Sequence, residues 1–331
     1  MATTKTEQAP TATEVTFAGD GLELSGTLLM PAHSGKKLPA MLLIPGSGPT
    51  DRDGNSGNGP VKIKTDLLKQ VAERLAADGI ASLRFDKRAI ARYQSSWPKT
   101  AEAVNKFFSY SHFIGDAKGG YNFLRTLPGI DPKRVGILGH SEGGLFAMQI
   151  GSDYSNTGRQ PWKIVLMSAA GRKIGLIVHE QLAFRLKQSL ASPEITQKFL
   201  GWWDAAAVAL ENNKPLPPDQ PTELKAIVNP TVMDLVKAYC IVDPVVLLEK
   251  TSMPVLILNG SDDTQVSPTA DAGLLKTVLS KRPKLSGGEM IIIPNVSHNY
   301  KSTADGNKDA FDGPVDSKAL NSISRFLAGK G

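Results

Sequence analysis

The sequence is short of cysteine, of histidine and of long apolar runs, and each shortage removes a class of protein. Cys240 is the single cysteine of 331 residues, so no internal disulfide can form and no thiolate cluster can hold a metal. That thiol reads as a small buried apolar group. The longest apolar runs, AMLLI at 40–44 and AAAVAL at 205–210, fall far below the roughly 18 residues a membrane-spanning helix needs. Charge of one sign is never concentrated: 38 basic and 32 acidic residues are interspersed, giving +6 and a pI near 9.2 without a run of five or six like charges. This is the pattern of a solvated surface, and it argues against a nucleic-acid groove. The opening MATTKTEQAPTATE has no apolar centre and is no signal peptide; residues 1–13 are expected to be a disordered tail. The expectation is a soluble protein, monomeric or a homo-oligomer, in the cytoplasm, or in the periplasm or outside the cell had a leader been removed.

What is present is a chain with 41% hydrophobic residues, enough for one large domain with or without an inserted subdomain. From Glu14 to Pro31 apolar and polar residues alternate around Gly19-Asp20-Gly21, which predicts an antiparallel hairpin. Short continuous apolar runs then appear at 39–45, 80–86, 134–140, 163–169, 254–260 and 289–294. Continuous runs suit strands covered on both faces. Between them DLLKQVAERLAADG, FIGDAKGGYNFLRTLPG and SPTADAGLLKTVLS carry helical spacing, with proline near a start or glycine just past an end. Strand and helix in alternation predict an α/β fold with a mostly parallel, doubly wound sheet. From about Arg172 to Val242 the alternation stops and three helical segments follow without a strand candidate. Residues 172–242 therefore read as a helical cap inserted into a core of 14–171 and 243–331. Within the cap Trp202 and Trp203, with Phe184 and Phe199, either line an apolar pocket or pack the insertion onto the body.

The string VGILGHSEGGLFAMQI places Ser141 between Gly139 and Gly143. G-x-S-x-G alone is a cheap motif, but here a strand-like run precedes it and a helix-like run follows. A serine on such a turn is thrown clear of the backbone, and the helix aims its first N–H groups at the place where an oxyanion would form. A hydroxyl needs a base to become a nucleophile, and five histidines are available. His33 precedes the first long strand, His112 precedes a helix, His140 abuts the serine and is expected to point away, and His179 falls in the cap region. His298 remains, just past the last strand, where the ligand-contacting loops of an open parallel sheet collect. The imidazole needs a carboxylate to hold its tautomer. Asp262 and Asp263 both stand in the loop GSDDTQVSP; spacing favours Asp263, which leaves Asp262 as a turn cap.

Together LLIPGSGPTDRDGN (42–55), RFDKR (84–88), LGHSEGG (138–144), LNGSDDTQVSP (258–268) and SHNY (297–300) make the chain resemble the alpha/beta-hydrolase superfamily, and within it bacterial serine esterases with a helical cap. The resemblance covers nearly everything from Glu14 onward. It implies an alpha/beta-hydrolase fold, a triad of Ser141, Asp263 and His298, and an oxyanion hole made by the backbone N–H groups of Glu142 and Ser47. Gly48, Trp202 and Trp203 would contribute to the substrate pocket. TDRDGN would be a solvated loop or shape the pocket rim, and its Asp51, Arg52 and Asp53 would pair with Lys87 or Arg88. Two departures stand out: Ala89, Ile90 and Ala91 replace commonly found glycines, and Pro45 replaces a histidine that often precedes the oxyanion glycine. The function implied is cleavage of small-molecule carboxylic esters with small to medium acyl groups, with neither metal nor organic cofactor. Amide cleavage by the same triad, or a hydrolase-like protein that binds without turnover, are the alternatives.

Overall fold

The computed structural model describes residues 9–32, 35–57, 63–282 and 287–329. Two antiparallel strands open it, β1 (Thr11–Ala18) and β2 (Glu23–Met30), joined through the turn at Gly19 to Gly21. Thr11 to Thr13, expected to belong to a tail over residues 1–13, instead stand in β1, and residues 1–8 lie outside the described residues. Thr11 to Thr13 pair with Met30 to Leu28, because β2 extends that far and offers backbone groups that must be satisfied.

The chain then alternates: β3 (Leu38–Ile44), α1 (Leu67–Ala77), β4 (Ala81–Phe85), α2 (Ala101–Phe107), α3 (Tyr110–Thr126), β5 (Ile130–His140), α4 (Glu142–Tyr154) and β6 (Ile164–Met167). A helical stretch follows, α5 (Ile174–Gln188), α6 (Pro193–Glu211), α7 (Met233–Ile241) and α8 (Pro244–Glu249), before β7 (Val255–Gly260), α9 (Gly273–Ser280), β8 (Gly288–Ile293) and α10 (Ser317–Leu327). Among the described residues the strands form one 8-stranded sheet in the order β1-β2-β4-β3-β5-β6-β7-β8. All pairings from β4 to β8 are parallel.

The continuous apolar runs are explained by the two cores they serve. Leu42, Ile137, Leu166 and Ile257 point to the face covered by α3, α4, α8 and α9, while Met41, Leu43, Leu138, Val165 and Leu256 point to the face covered by α1 and α10. Period-two alternation of facing thus persists inside runs that are continuously apolar, such as Ile164–Met167. Helix starts follow their caps: the Ser192 hydroxyl accepts from Ile195 N ahead of Pro193, and the Asp316 carboxylate accepts from Lys318 and Ala319. A third apolar cluster lies wholly within α5 to α7 and the short helical turn between α6 and α7, built on Trp202, Trp203, Leu182, Leu210 and Val236. Among the described residues no helix is long and apolar enough to cross a membrane.

Candidate active site

Ser141 stands where β5 ends and α4 begins, with φ 54° and ψ −119°. A side chain seldom tolerates that region, and the strain is affordable only where neighbours dictate it. Here they do. A Cβ on Gly139 would lie 2.1 Å from the Gly143 carbonyl oxygen, and one on Gly143 would lie 2.3 Å from that of Ile44. The two motif glycines are thus required by close backbone approach, which the G-x-S-x-G spacing encodes.

His298 lies beyond β8 and is buried. Its Nδ1 is 2.9 Å from both carboxylate oxygens of Asp263. Asp263 is fixed in turn: Oδ1 accepts from the amides of Gln265 and Val266, each at 2.9 Å, and Oδ2 from Asn259 Nδ2 at 3.2 Å. Burial pushes the Asp263 pKa up, but the charge and hydrogen bond of His298 and the two amides outweigh it and hold the carboxyl below the usual carboxylate range. Asp262 takes a different part. It accepts from Thr303 Oγ1 at 2.5 Å and faces Lys308, so the structure pairs His298 with the second aspartate of the loop. Tyr300 pins the same loop by donating its hydroxyl to the Leu258 carbonyl at 2.6 Å.

His140 corrects an expectation. Its ring does not point away from the site but packs 4.8 Å from the His298 ring, and its Nε2–H donates to the His298 carbonyl at 3.1 Å. Burial, with the His298 charge second, lowers its pKa to about 3, so this imidazole is a neutral strut under the other. The alternation of β5 carried that information: His140 shares a face with Leu138, whose cluster includes Val296 and Tyr300 of the His298 loop. Of the remaining histidines, His112 faces Asp20 and His179 bonds Asp204, while His33 falls outside the described residues.

A cavity of about 230 Å³ opens above the serine. Ser47, Ser141 and Glu142 form its floor, and α5 contributes Ile174, Ile177, Val178, Leu182 and Arg185 as one helical stripe. Tyr239 of α7 also lines it. Trp202 and Trp203 do not. They are consumed by the α5–α7 cluster, where their indole N–H groups donate to Pro218 and Gly175 carbonyls. Gly48 is likewise absent from the lining and adopts φ 76° in the loop beyond it. Among the described residues no group of three or more His, Cys, Asp or Glu side chains is placed to hold a metal ion.

RFDKR is used residue by residue. Arg84 bonds Asp53, Phe85 enters the core, Asp86 accepts from Arg52 at 2.7 Å, Lys87 pairs with Glu142 at 2.5 Å and Arg88 with Asp116 at 2.6 Å. The expected pairing of Asp51, Arg52 or Asp53 with Lys87 or Arg88 does not form, because Lys87 and Arg88 find buried carboxylates of their own.

No protein-family model matches the chain. Over 311 residues, 92% of this chain, it is 25% identical to Esterase EstD of Thermotoga maritima, and it spans 65% of that relative's length. Among solved structures it is similar to an esterase of Pyrococcus furiosus, with a TM-score of 0.58 and 15% identity over 97% of this chain and 91% of that one. An acylaminoacyl peptidase of Pyrococcus horikoshii matches at 0.55 and 13% identity, over 97% of this chain and 41% of that one. The chain has the alpha/beta-hydrolase fold.

In that hydrolase fold the stretch from Ala89 to Ala91 needs no glycine. None of the three has positive φ, because the chain turns there through Ile90 N–H to Lys87 C=O, at 3.0 Å, into a 3₁₀ helix over Ala91–Ser96. Ser47 and Glu142, the residues expected to lend their amides, line the cavity together with Ser141. The Glu142 N–H, in the first turn of α4, has no intrahelical acceptor and is available to a ligand. Among the described residues no hydrogen bond links the Ser141 hydroxyl to His298, whose Nδ1 is engaged by Asp263; nucleophile–base bonds of this kind commonly tighten only with substrate.

Proposed function

We propose that this protein is a serine hydrolase that cleaves carboxylic esters of small to medium acyl groups. Ser141 attacks the ester carbonyl as His298 Nε2 takes its proton. Asp263 holds the imidazole in the tautomer that presents Nε2 and stabilises the imidazolium formed. The amides of Ser47 and Glu142 receive the oxyanion, each such donor contributing roughly 10²- to 10³-fold in rate. His298 then protonates the leaving alcohol, and a water activated by the same ring releases the acid. Helices α5 to α7 act as a cap whose apolar stripe receives the acyl chain. The observation that carries this reading is the buried His298–Asp263 pair, at 2.9 Å, packed against the residue that precedes a strained serine at a cavity floor. The likeness to named esterases supports it.

The test is turnover of p-nitrophenyl acetate and butyrate. Ser141→Ala and His298→Ala are expected to abolish it, Asp263→Asn to slow it by about 10⁴-fold, and Asp262→Asn to leave it near wild type. Equal rates in wild type, Ser141→Ala and His298→Ala would overturn the proposal.

One observation favours a second reading, amide cleavage on short peptides. Arg185 stands in the cavity wall, where a guanidinium suits the carboxylate of a peptide end, and a peptidase is among the similar structures. Faster release from aminoacyl p-nitroanilides than from the nitrophenyl esters would favour it. Labelling by a fluorophosphonate separates both from a protein that binds without turnover.

A further inference from the structure

Beneath the cavity floor lies a charged pair that the proposed mechanism leaves unused. The Lys87 and Glu142 side chains are 3% and 2% exposed and meet at 2.5 Å. The Lys87 ammonium also donates to the Gly46 carbonyl at 2.9 Å and sits 4.9 Å from the Phe113 ring centre. From the cap side, the Tyr239 hydroxyl donates to the other carboxylate oxygen of Glu142. Taking two charges out of water is costly, and apolar residues of similar size commonly serve stability as well or better. A pair kept at that cost, bonded to the Gly46 carbonyl on one side and to Tyr239 of the cavity wall on the other, calls for a role that packing does not fill.

Resting on the hydrolase reading above, we infer that Lys87 is a positioning residue that fixes both donors of the oxyanion hole, with Glu142 and Tyr239 as its anchors. The Gly46 carbonyl and the Ser47 N–H belong to one planar trans peptide. An ammonium bonded to that carbonyl oxygen therefore sets where the N–H points, opposes rotation of the peptide plane and polarises the N–H as a donor. The same ammonium grips the side chain of Glu142, whose own N–H is the second donor. One buried cation thus spans the β3 loop and the start of α4, and holds the amides of two residues that line the cavity together with Ser141. Tyr239 ties this arrangement to α7, so that the wall of the acyl pocket and the oxyanion hole share a carboxylate. Such donors act at about 2.7–3.1 Å from the developing oxyanion and must be held within about 0.5 Å of that geometry.

The experiment compares wild type with Lys87→Met, Tyr239→Phe and the double variant Lys87→Met/Glu142→Gln, which leaves no unpaired buried charge. Readouts are kcat and KM on p-nitrophenyl butyrate, inhibition by phenylboronic acid, whose serine adduct is tetrahedral and anionic, and the melting temperature. Lys87→Met is expected to lose about 10- to 10²-fold in kcat, part of the loss of a whole donor, with KM little changed. Boronate affinity should fall by a similar factor. The double variant should regain melting temperature without regaining kcat, and it carries the comparison should Lys87→Met alone fail to fold. Tyr239→Phe should show a smaller loss of the same kind. Wild-type kcat and boronate affinity in Lys87→Met, or recovery of kcat together with melting temperature in the double variant, would overturn the inference. Ser141→Ala run alongside separates the two proposals: its inactivity with an unaffected Lys87→Met sinks only this one.

Discussion

The ring of His140 is buried and packs, tilted by 49°, against that of His298, and this sets a pH dependence that a single side chain carries. Burial, then the neighbouring imidazole, brings its pKa from 6.5 down to about 3 in the fold. Between those values the unfolded chain binds a proton that the folded chain does not, so stability falls as pH drops through that window and is fully restored above it. Asp263, its pKa lowered by His298 against the effect of burial, adds a loss of the same sign further into acid. His140→Gln keeps a donor for the His298 carbonyl and removes the titration. Urea unfolding at pH 7 and pH 4 should then show a smaller acid penalty in the variant than in wild type; equal penalties would refute the assignment. At this scale the sequence was informative where chemistry demanded a residue type. The rule that a nucleophile needs a base and a base a carboxylate singles out Ser141, His298 and the Asp263 loop, and of these the structure joins His298 to Asp263. The use of Lys87 and Tyr239 was not readable, since their partner Glu142 is 55 and 97 residues away.

Among the elements, α5 to α7 behave as a unit with its own core. Trp203 fills it, 1% exposed, and donates to the Gly175 carbonyl at 2.9 Å. Cys240 shares that cluster, and burial raises its thiol pKa to about 11, which leaves it an unreactive apolar group. Trp203→Ala should cost about 3–5 kcal/mol of local stability through the cavity it opens. Hydrogen exchange is expected to quicken in α5 and α6 while β5 and α4 stay protected, and KM for short esters should rise because Ile177 and Val178 of the pocket wall ride on α5. Uniform exchange across the sheet would contradict this autonomy. Helical spacing made α5 and α6 legible. It missed α2, α8 and α10, for different reasons. The first two are only 7 and 6 residues long, too short for a period to establish itself. The third is strongly two-faced, burying Ala319, Ile323, Phe326 and Leu327, a period that lies beyond the last of the motifs, at 297–300.

For the molecule as a whole, Arg88 binds the layers together. Its side chain is 0% exposed; it grips Asp116 of α3 through two hydrogen bonds, of 2.6 and 2.7 Å, and donates to the carbonyls of Phe107 in α2 and Asp20 in the opening hairpin. Arg88→Met strands a buried carboxylate and should cost about 3–5 kcal/mol, read as an earlier urea midpoint. Adding Asp116→Asn should recover part of that loss, because the stranded charge is removed. A midpoint unmoved by Arg88→Met would remove the arginine from this role.

The order of strands and helices, the doubly wound sheet and the chemical types at the site were determined by the sequence alone, because burial periodicity and motif spacing are local properties that survive without coordinates. The tertiary structure decided the partners. It paired His298 with Asp263 and not Asp262, packed His140 against His298, buried the tryptophans inside the α5–α7 cluster and set Lys87 between the Gly46 carbonyl and the Glu142 carboxylate. Each of those outcomes depends on the approach of segments far apart in the chain, and the free energy of burying a charge or a ring is fixed only when its neighbours arrive.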